Sequence, residues 1–275
     1  MTEQWEAPEY VAARKALLDA LDLLVDQLDA LILVGAQAVY LHAPASVAQR
    51  ISYTTDSDLV IDPDLLSERP DIGDILVTAG YTRHESPGTF YNHDAIAIDL
   101  MVPEGALPPS TRRTAPLLGQ SRPTARRTFG LEVALFDAEP RRITALDPND
   151  QRHVTLRVAG PAALVVAKLT KLAERMTGPR TDRVLGKDAD DLLRLLRYAD
   201  ATTIGVRLRE LTAHEVARPT IEQALGFLEH QVGLRGSPLI DLAVDALADA
   251  EPAAQVQTAF RTLSQRVLDA YHPLT

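Results

Sequence analysis

Hydrophobic periodicity changes only once along this chain of 275 residues, and that change constrains its fold more than any other feature. Up to Ala159, short apolar runs of strand type alternate with helical stretches. From Pro161 onward the apolar residues recur at helical spacing. Such a pattern predicts an α+β domain over residues 1–160 and a helical domain over 161–275. The first part reads as a helix over 8–28, a strand Leu31–Val34, a short helix Ala36–His42 and a strand opening at Asp56-Ser57-Asp58 and running to Ile61. A helix Asp64–Ala79 broken at Pro70 follows, then two or three strands within 81–102 and two more at Leu131–Phe136 and His153–Val158. Pro161 suits a first helical turn, 187–198 forms a second helix, and 203–272 is expected to give about four more.

Charge is distributed unevenly. Residues 1–103 hold 5 basic and 17 acidic residues, and 104–198 hold 17 basic and 11 acidic, within a whole chain of net charge −10. A generic polybasic binder is therefore excluded, while a local basic surface is not. The middle segment includes 103–128, a Pro-rich stretch with Arg112, Arg113, Arg122, Arg126 and Arg127, expected to be a long loop. Any one of these arginines reads best as a solvated side chain, whereas five within sixteen residues of a net-acidic protein favour a polyanion contact. The chain has 0 cysteines, which excludes disulfides, thiolate metal sites and thiol catalysis. No run reaches the roughly 18 apolar residues of a membrane span. The acidic start MTEQWEAPEY has no basic n-region, so a cytoplasmic protein without membrane contact is expected.

The segment most suggestive of chemistry is 31–62. Residues i and i+2 of a strand share a face, so Asp56 and Asp58 project together. Adjacent carboxylates repel unless a cation sits between them, and hard oxygen donors with few protein ligands suit Mg²⁺. Asp99 is a lone charge in the apolar run Ala95–Val102 and needs a partner; a neighbouring strand would bring it beside the first two. The same residues also fit a solvated turn at Asp56–Asp58 and a strand-edge carboxylate at Asp99.

An apolar strand ending in Gly35, a helix, then acid-x-acid on the next strand and an acid on a later one resembles the DNA polymerase β-like nucleotidyltransferases. Ala36 stands where that superfamily has Gly or Ser, and Ser57 where it has an apolar residue. Residues 168–191 further resemble the AbiEii/MenT group of nucleotidyltransferase toxins, with Lys168 and Arg175 matching one element and Lys187, Asp188 and Asp191 the other. Asp190 leaves the register of that second element open.

The resemblance implies a mixed sheet flanked by helices, then a helical bundle that brings Lys168 to the site. It implies a Mg²⁺-dependent enzyme, with Mn²⁺ as the alternative ion, that moves NMP from an NTP to a tRNA 3′ end and is paired with an antitoxin protein. Asp56 and Asp58 would hold the metals that bridge the triphosphate, and Asp99 would help bind the second metal and activate the acceptor hydroxyl. Gly35, Ala36, Thr55, Ser57, Lys168, Arg175 and Lys187 would contact the triphosphate. Asp188 and Asp191 would complete the catalytic set, and Arg112, Arg113, Arg126 and Arg127 would receive the acceptor. Helical spacing leaves Lys171 as an alternative to Lys168, and Asp188 also fits a first-turn carboxylate answering the helix dipole. The alternatives in function are a small-molecule or protein acceptor, for which the acidic N-terminal third suits a cationic drug of aminoglycoside type, and a non-catalytic member of the fold.

Overall fold

A computed structural model describes residues 7–43, 55–121, 123–177 and 186–272. The chain is α+β and forms two compact units. The first runs to Ala159, and the second begins at Gly160 and also takes in the end of one early helix from Val39.

The first unit opens with α1 (Pro8–Leu23), followed by β1 (Leu31–Val34), α2 (Gly35–His42) and β2 (Asp56–Ile61). After α3 (Ile72–Thr78) come β3 (Thr82–Arg83), β4 (Thr89–Tyr91), β5 (Ala97–Pro103), β6 (Arg126–Thr128), β7 (Ala138–Thr144) and β8 (His153–Ala159). They make one mixed sheet in the order β3-β4-β5-β2-β1-β8-β7, with β6 also pairing β5. β2 lies antiparallel to β1 and parallel to β5. Leu31, Ile32 and Leu33 of β1 are buried on both faces, as a central strand with an unbroken apolar run requires. Burial of each such side chain contributes about 1.5–3 kcal/mol.

Four segments depart from the sequence reading. The first helix ends at Leu23 and gives way to a 3-10 turn, Val25–Ala30. The α3 helix covers only Ile72–Thr78, because the Asp71 side chain accepts from the Asp74 amide and starts the helix there. Leu131–Phe136 is a 3-10 turn around Glu132–Leu135, and the strand follows at Ala138–Thr144. Pro140 argues against a strand there, but β7 pairs only with β8 and so tolerates it.

Last, 103–128 is not all loop. Its end forms β6, which pairs parallel with β5 beyond the point where β4 stops. Gly88 sits at that seam with φ +82°, and a Cβ there would lie 2.3 Å from the Leu100 carbonyl and 2.8 Å from the Arg126 amide. Only glycine lets three backbones meet this closely.

The second unit is helical: α4 (Pro161–Thr177), α5 (Gly186–Tyr198), α6 (Ala201–Leu211), α7 (Arg218–Gly233), α8 (Pro238–Ala246) and α9 (Ala253–Tyr271). Asp200 caps α6 and Ser237 caps α8. Gly205 lets α6 approach the α9 backbone, since a Cβ there would meet the Val267 carbonyl at 2.3 Å. Among the described residues, no helix is long and apolar enough to cross a membrane.

Candidate functional site

The two faces of β2 do different work. Ser57 is fully buried; its hydroxyl accepts from Gln37 Nε2 at 2.7 Å and donates to the Ala13 carbonyl of α1 at 3.3 Å. The adjoining Arg14 guanidinium, also buried, donates to Gln37 Oε1 (2.9 Å), the Thr144 carbonyl (3.0 Å) and the Tyr10 hydroxyl (2.8 Å). This network ties α1, α2, β2 and β7 together. Ser57 is thus a structural residue under α1 and presents nothing to a substrate, a correction to its expected role. Its polar side chain is tolerated in the core because Gln37 and Ala13 satisfy it. Arg14 was legible as a lone charge on the apolar face of α1, four residues after Tyr10 and three before Leu17.

Alternation sends Asp56 and Asp58 to the opposite face. Val34, Asp58 and Asp99 lie abreast across β1, β2 and β5. Gly35, the residue after Val34, has φ +68°, and a Cβ there would fall 2.0 Å from Asp58 Oδ2. The Asp58 carboxylate therefore rests against the Gly35 Cα, where β1 turns into α2. Any side chain at 35 would push it away. Ala36 is buried and Thr55 is exposed just ahead of Asp56.

Asp99 is held on both oxygens. Oδ1 accepts from the Thr89 hydroxyl at 2.5 Å, and Oδ2 accepts from Arg126 Nη2 at 2.9 Å. Arg126 Nη1 reaches the same hydroxyl at 3.3 Å. Burial by itself would lower the basicity of Arg126, but Asp99 beside it, and Asp58 and Asp56 farther off, hold it above its ordinary value. One guanidinium therefore feels all three carboxylates. Arg126, expected in a loop facing a polyanion, is instead fixed on the acid face because β6 pairs with β5. Arg127 is part-buried on the same strand, Arg112 and Arg113 are exposed, and Arg122 lies outside the described residues.

The donor set bears on the metal expectation. Among the described residues, no group of three or more His, Cys, Asp or Glu is arranged to hold an ion. Asp56 and Asp58 supply hard oxygens on one face, which fits a Mg²⁺ that takes its other ligands from phosphate and water. Asp99 does not converge with them as a third ligand, since Arg126 and Thr89 occupy its oxygens.

The second unit holds a separate ion cluster. Lys168 of α4 is 5% exposed, and its ammonium donates to Asp188 Oδ1 at 2.8 Å and Asp191 Oδ2 at 2.6 Å, both on α5. Lys171 reaches Asp188 at 3.1 Å and Arg175 reaches it at 2.5 Å. The inward lysine is Lys168, while Lys171 is exposed along much of its length. Burial pushes Asp188 up, but Lys168, Lys171 and Arg175 outweigh it and bring the carboxyl to about 2. Burial likewise pulls Lys168 down, and Asp191 and Asp188 more than reverse that. Asp190 instead turns to Arg194 at 3.5 Å, and burial raises it. Asp188 and Asp191 thus face Lys168, and Asp190 does not. Lys187 is half-buried at the start of α5. The ammonium expected to meet a triphosphate is thus enclosed within its own unit by two carboxylates.

Compared with protein families, curated proteins and solved structures, the chain matches none.

Proposed function

We propose that this chain is a divalent-metal-dependent nucleotidyltransferase that moves an NMP group from an NTP to a tRNA 3′ end and acts as a toxin restrained by an antitoxin protein. The observation that carries this reading is the seat of Asp58 on Gly35, with Asp56 on the same strand face and Asp99 abreast of it. Asp56 and Asp58 would hold the ion, Mg²⁺ or Mn²⁺, and the ion would offset triphosphate charge.

The remaining work falls to the chain's own residues. Gly35 leaves the turn into α2 bare, so backbone amides of the first turn meet phosphate oxygens without an intervening side chain. Asp99, fixed by Thr89 and Arg126, accepts a hydrogen bond from the acceptor hydroxyl through a remaining lone pair and orients it. The hydroxyl oxygen bonds to the α-phosphorus, the α–β phosphoanhydride bond breaks, and pyrophosphate departs as the hydroxyl proton is released. The basic middle segment, through Arg112 and Arg113, receives the polyanionic acceptor.

Incubating the full chain with total tRNA, Mg²⁺ and each α-labelled NTP tests the reading. Labelled tRNA is expected, and Asp58→Ala is expected to reduce labelling to background with its circular dichroism unchanged. Labelling that survives this substitution overturns the role given to Asp58, and a label only on a small-molecule or protein acceptor overturns the tRNA assignment. A second reading, a nucleotide-binding module without catalysis, is favoured by the pairing of both Asp99 oxygens with Thr89 and Arg126. It predicts calorimetric NTP binding with no label transferred to anything.

A further inference from the structure

We infer that Arg126 takes the place of a second metal ion on the acid face, so that this site holds one divalent cation, between Asp56 and Asp58, and keeps Asp99 out of metal coordination. The inference rests on the reading of Asp56 and Asp58 as the metal pair, and adds to it the stoichiometry of the site and the residue that sets it.

Three observations carry it. The guanidinium is held in place rather than waving from a loop: β6 pairs parallel with β5, the Arg126 residue lies beside Met101, and Gly88 packs against the Arg126 amide. Its side chain is about one-fifth exposed, and it makes a 2.9 Å ion pair with Asp99 Oδ2 while sharing the Thr89 hydroxyl with Asp99 Oδ1. Finally, the carboxylate that it pairs belongs to the residue directly abreast of Asp58 on the neighbouring strand, which places the cation beside the acid pair of β2.

A cation fixed at this point does two things that a second metal would do. It neutralises Asp99, so that strand β5 contributes no net charge to the face. It also repels a second divalent ion from the space between Asp58 and Asp99, which lie abreast on adjacent strands. A guanidinium differs from a metal in having no open coordination position, so Asp99 is left with lone pairs for hydrogen bonding only. The expected consequence is a site with a single metal affinity, rather than a tight and a weak one.

The test is Mn²⁺ binding to the full chain, followed by electron paramagnetic resonance of the free ion and by calorimetry, with no nucleotide present. The wild type is expected to bind one Mn²⁺. Asp56→Asn is expected to weaken it by more than about tenfold. Asp99→Asn is expected to leave the affinity within about twofold, since the residue is not a ligand, whereas a ligand would cost about tenfold or more. Arg126→Met, which frees Asp99, is expected to gain a second Mn²⁺, and Arg126→Lys, which keeps the cation, to remain at one.

Two Mn²⁺ in the wild type overturn the inference while leaving the metal pair standing, and so does a tenfold loss in Asp99→Asn. Binding that is insensitive to Asp56→Asn, or no binding at all, overturns the metal pair itself and the inference with it. The wild-type and Asp99→Asn measurements decide the matter even if Arg126→Met does not fold.

Discussion

The acid face of the first unit and the ion cluster of the second use the same chemistry to opposite ends. On the acid face, carboxylates stand on one side of a sheet, part-exposed, beside the fixed guanidinium of Arg126. In the helical unit, Lys168 is enclosed by Asp188 and Asp191, with Lys171 and Arg175 completing the shell of Asp188. Charges that close on one another out of water hold helices in register. Charges on a part-exposed face can still be reached by a ligand. Burial and pairing, rather than residue type, separate the two roles.

This contrast is breakable by experiment. The largest expected effect on stability is in the buried cluster: Lys168→Ala takes the ammonium from buried Asp191 and leaves Asp188 to Lys171 and Arg175, and should cost about 3–5 kcal/mol in chemical denaturation. A cost under about 1 kcal/mol would mean that the cluster is open, and Lys168 would return as a candidate for the triphosphate. Next comes the acid limb of stability. Asp188, unfolded, titrates near 3.8 and, folded, at about 2, so its contribution is full above the higher value and is lost as pH falls through the lower one. The span corresponds to about 2 kcal/mol. Asp188→Asn should flatten the decline of stability between pH about 4 and about 2; an unchanged slope would assign that decline to other carboxylates.

On the acid face the expected costs are smaller in stability and larger in function. Gly35→Ala forces a left-handed backbone onto an alanine, at about 1–2 kcal/mol, and drives its Cβ into Asp58. Thermal unfolding should register only that modest loss, while label transfer falls to background; retained transfer would show that the seat of Asp58 does not matter. The smallest effect belongs to Arg112 and Arg113, which are exposed. Replacing both with Ser should change stability by less than about 0.5 kcal/mol. Acceptor use should weaken with NTP binding spared, and this is expected to be more pronounced at low salt.

Much of the acid face was readable in advance, because it depends on local rules. A strand, a glycine, a short helix and an acid-x-acid strand are recognisable from spacing, and a two-residue interval puts Asp56 and Asp58 on one side. The partner of Asp99 was not readable. β6 is three residues long, Arg126-Arg127-Thr128, with no apolar alternation, and only pairing with β5 makes it a strand. The place of Ser57 was hidden for a similar reason: its hydroxyl is satisfied by Gln37 and Ala13, from two other elements.

The amino-acid order by itself determined the change from mixed to purely helical structure near residue 160, the glycine required at 35 and the shared face of Asp56 and Asp58, since periodicity and backbone sterics act over a few residues. Tertiary structure alone decided that Arg126 answers Asp99, that Lys168 is enclosed by Asp188 and Asp191, and that Asp190 turns elsewhere. An ionic side chain takes the partner that burial brings within about 3 Å, and for Arg126 and Lys168 these partners lie 20 or more residues away along the chain.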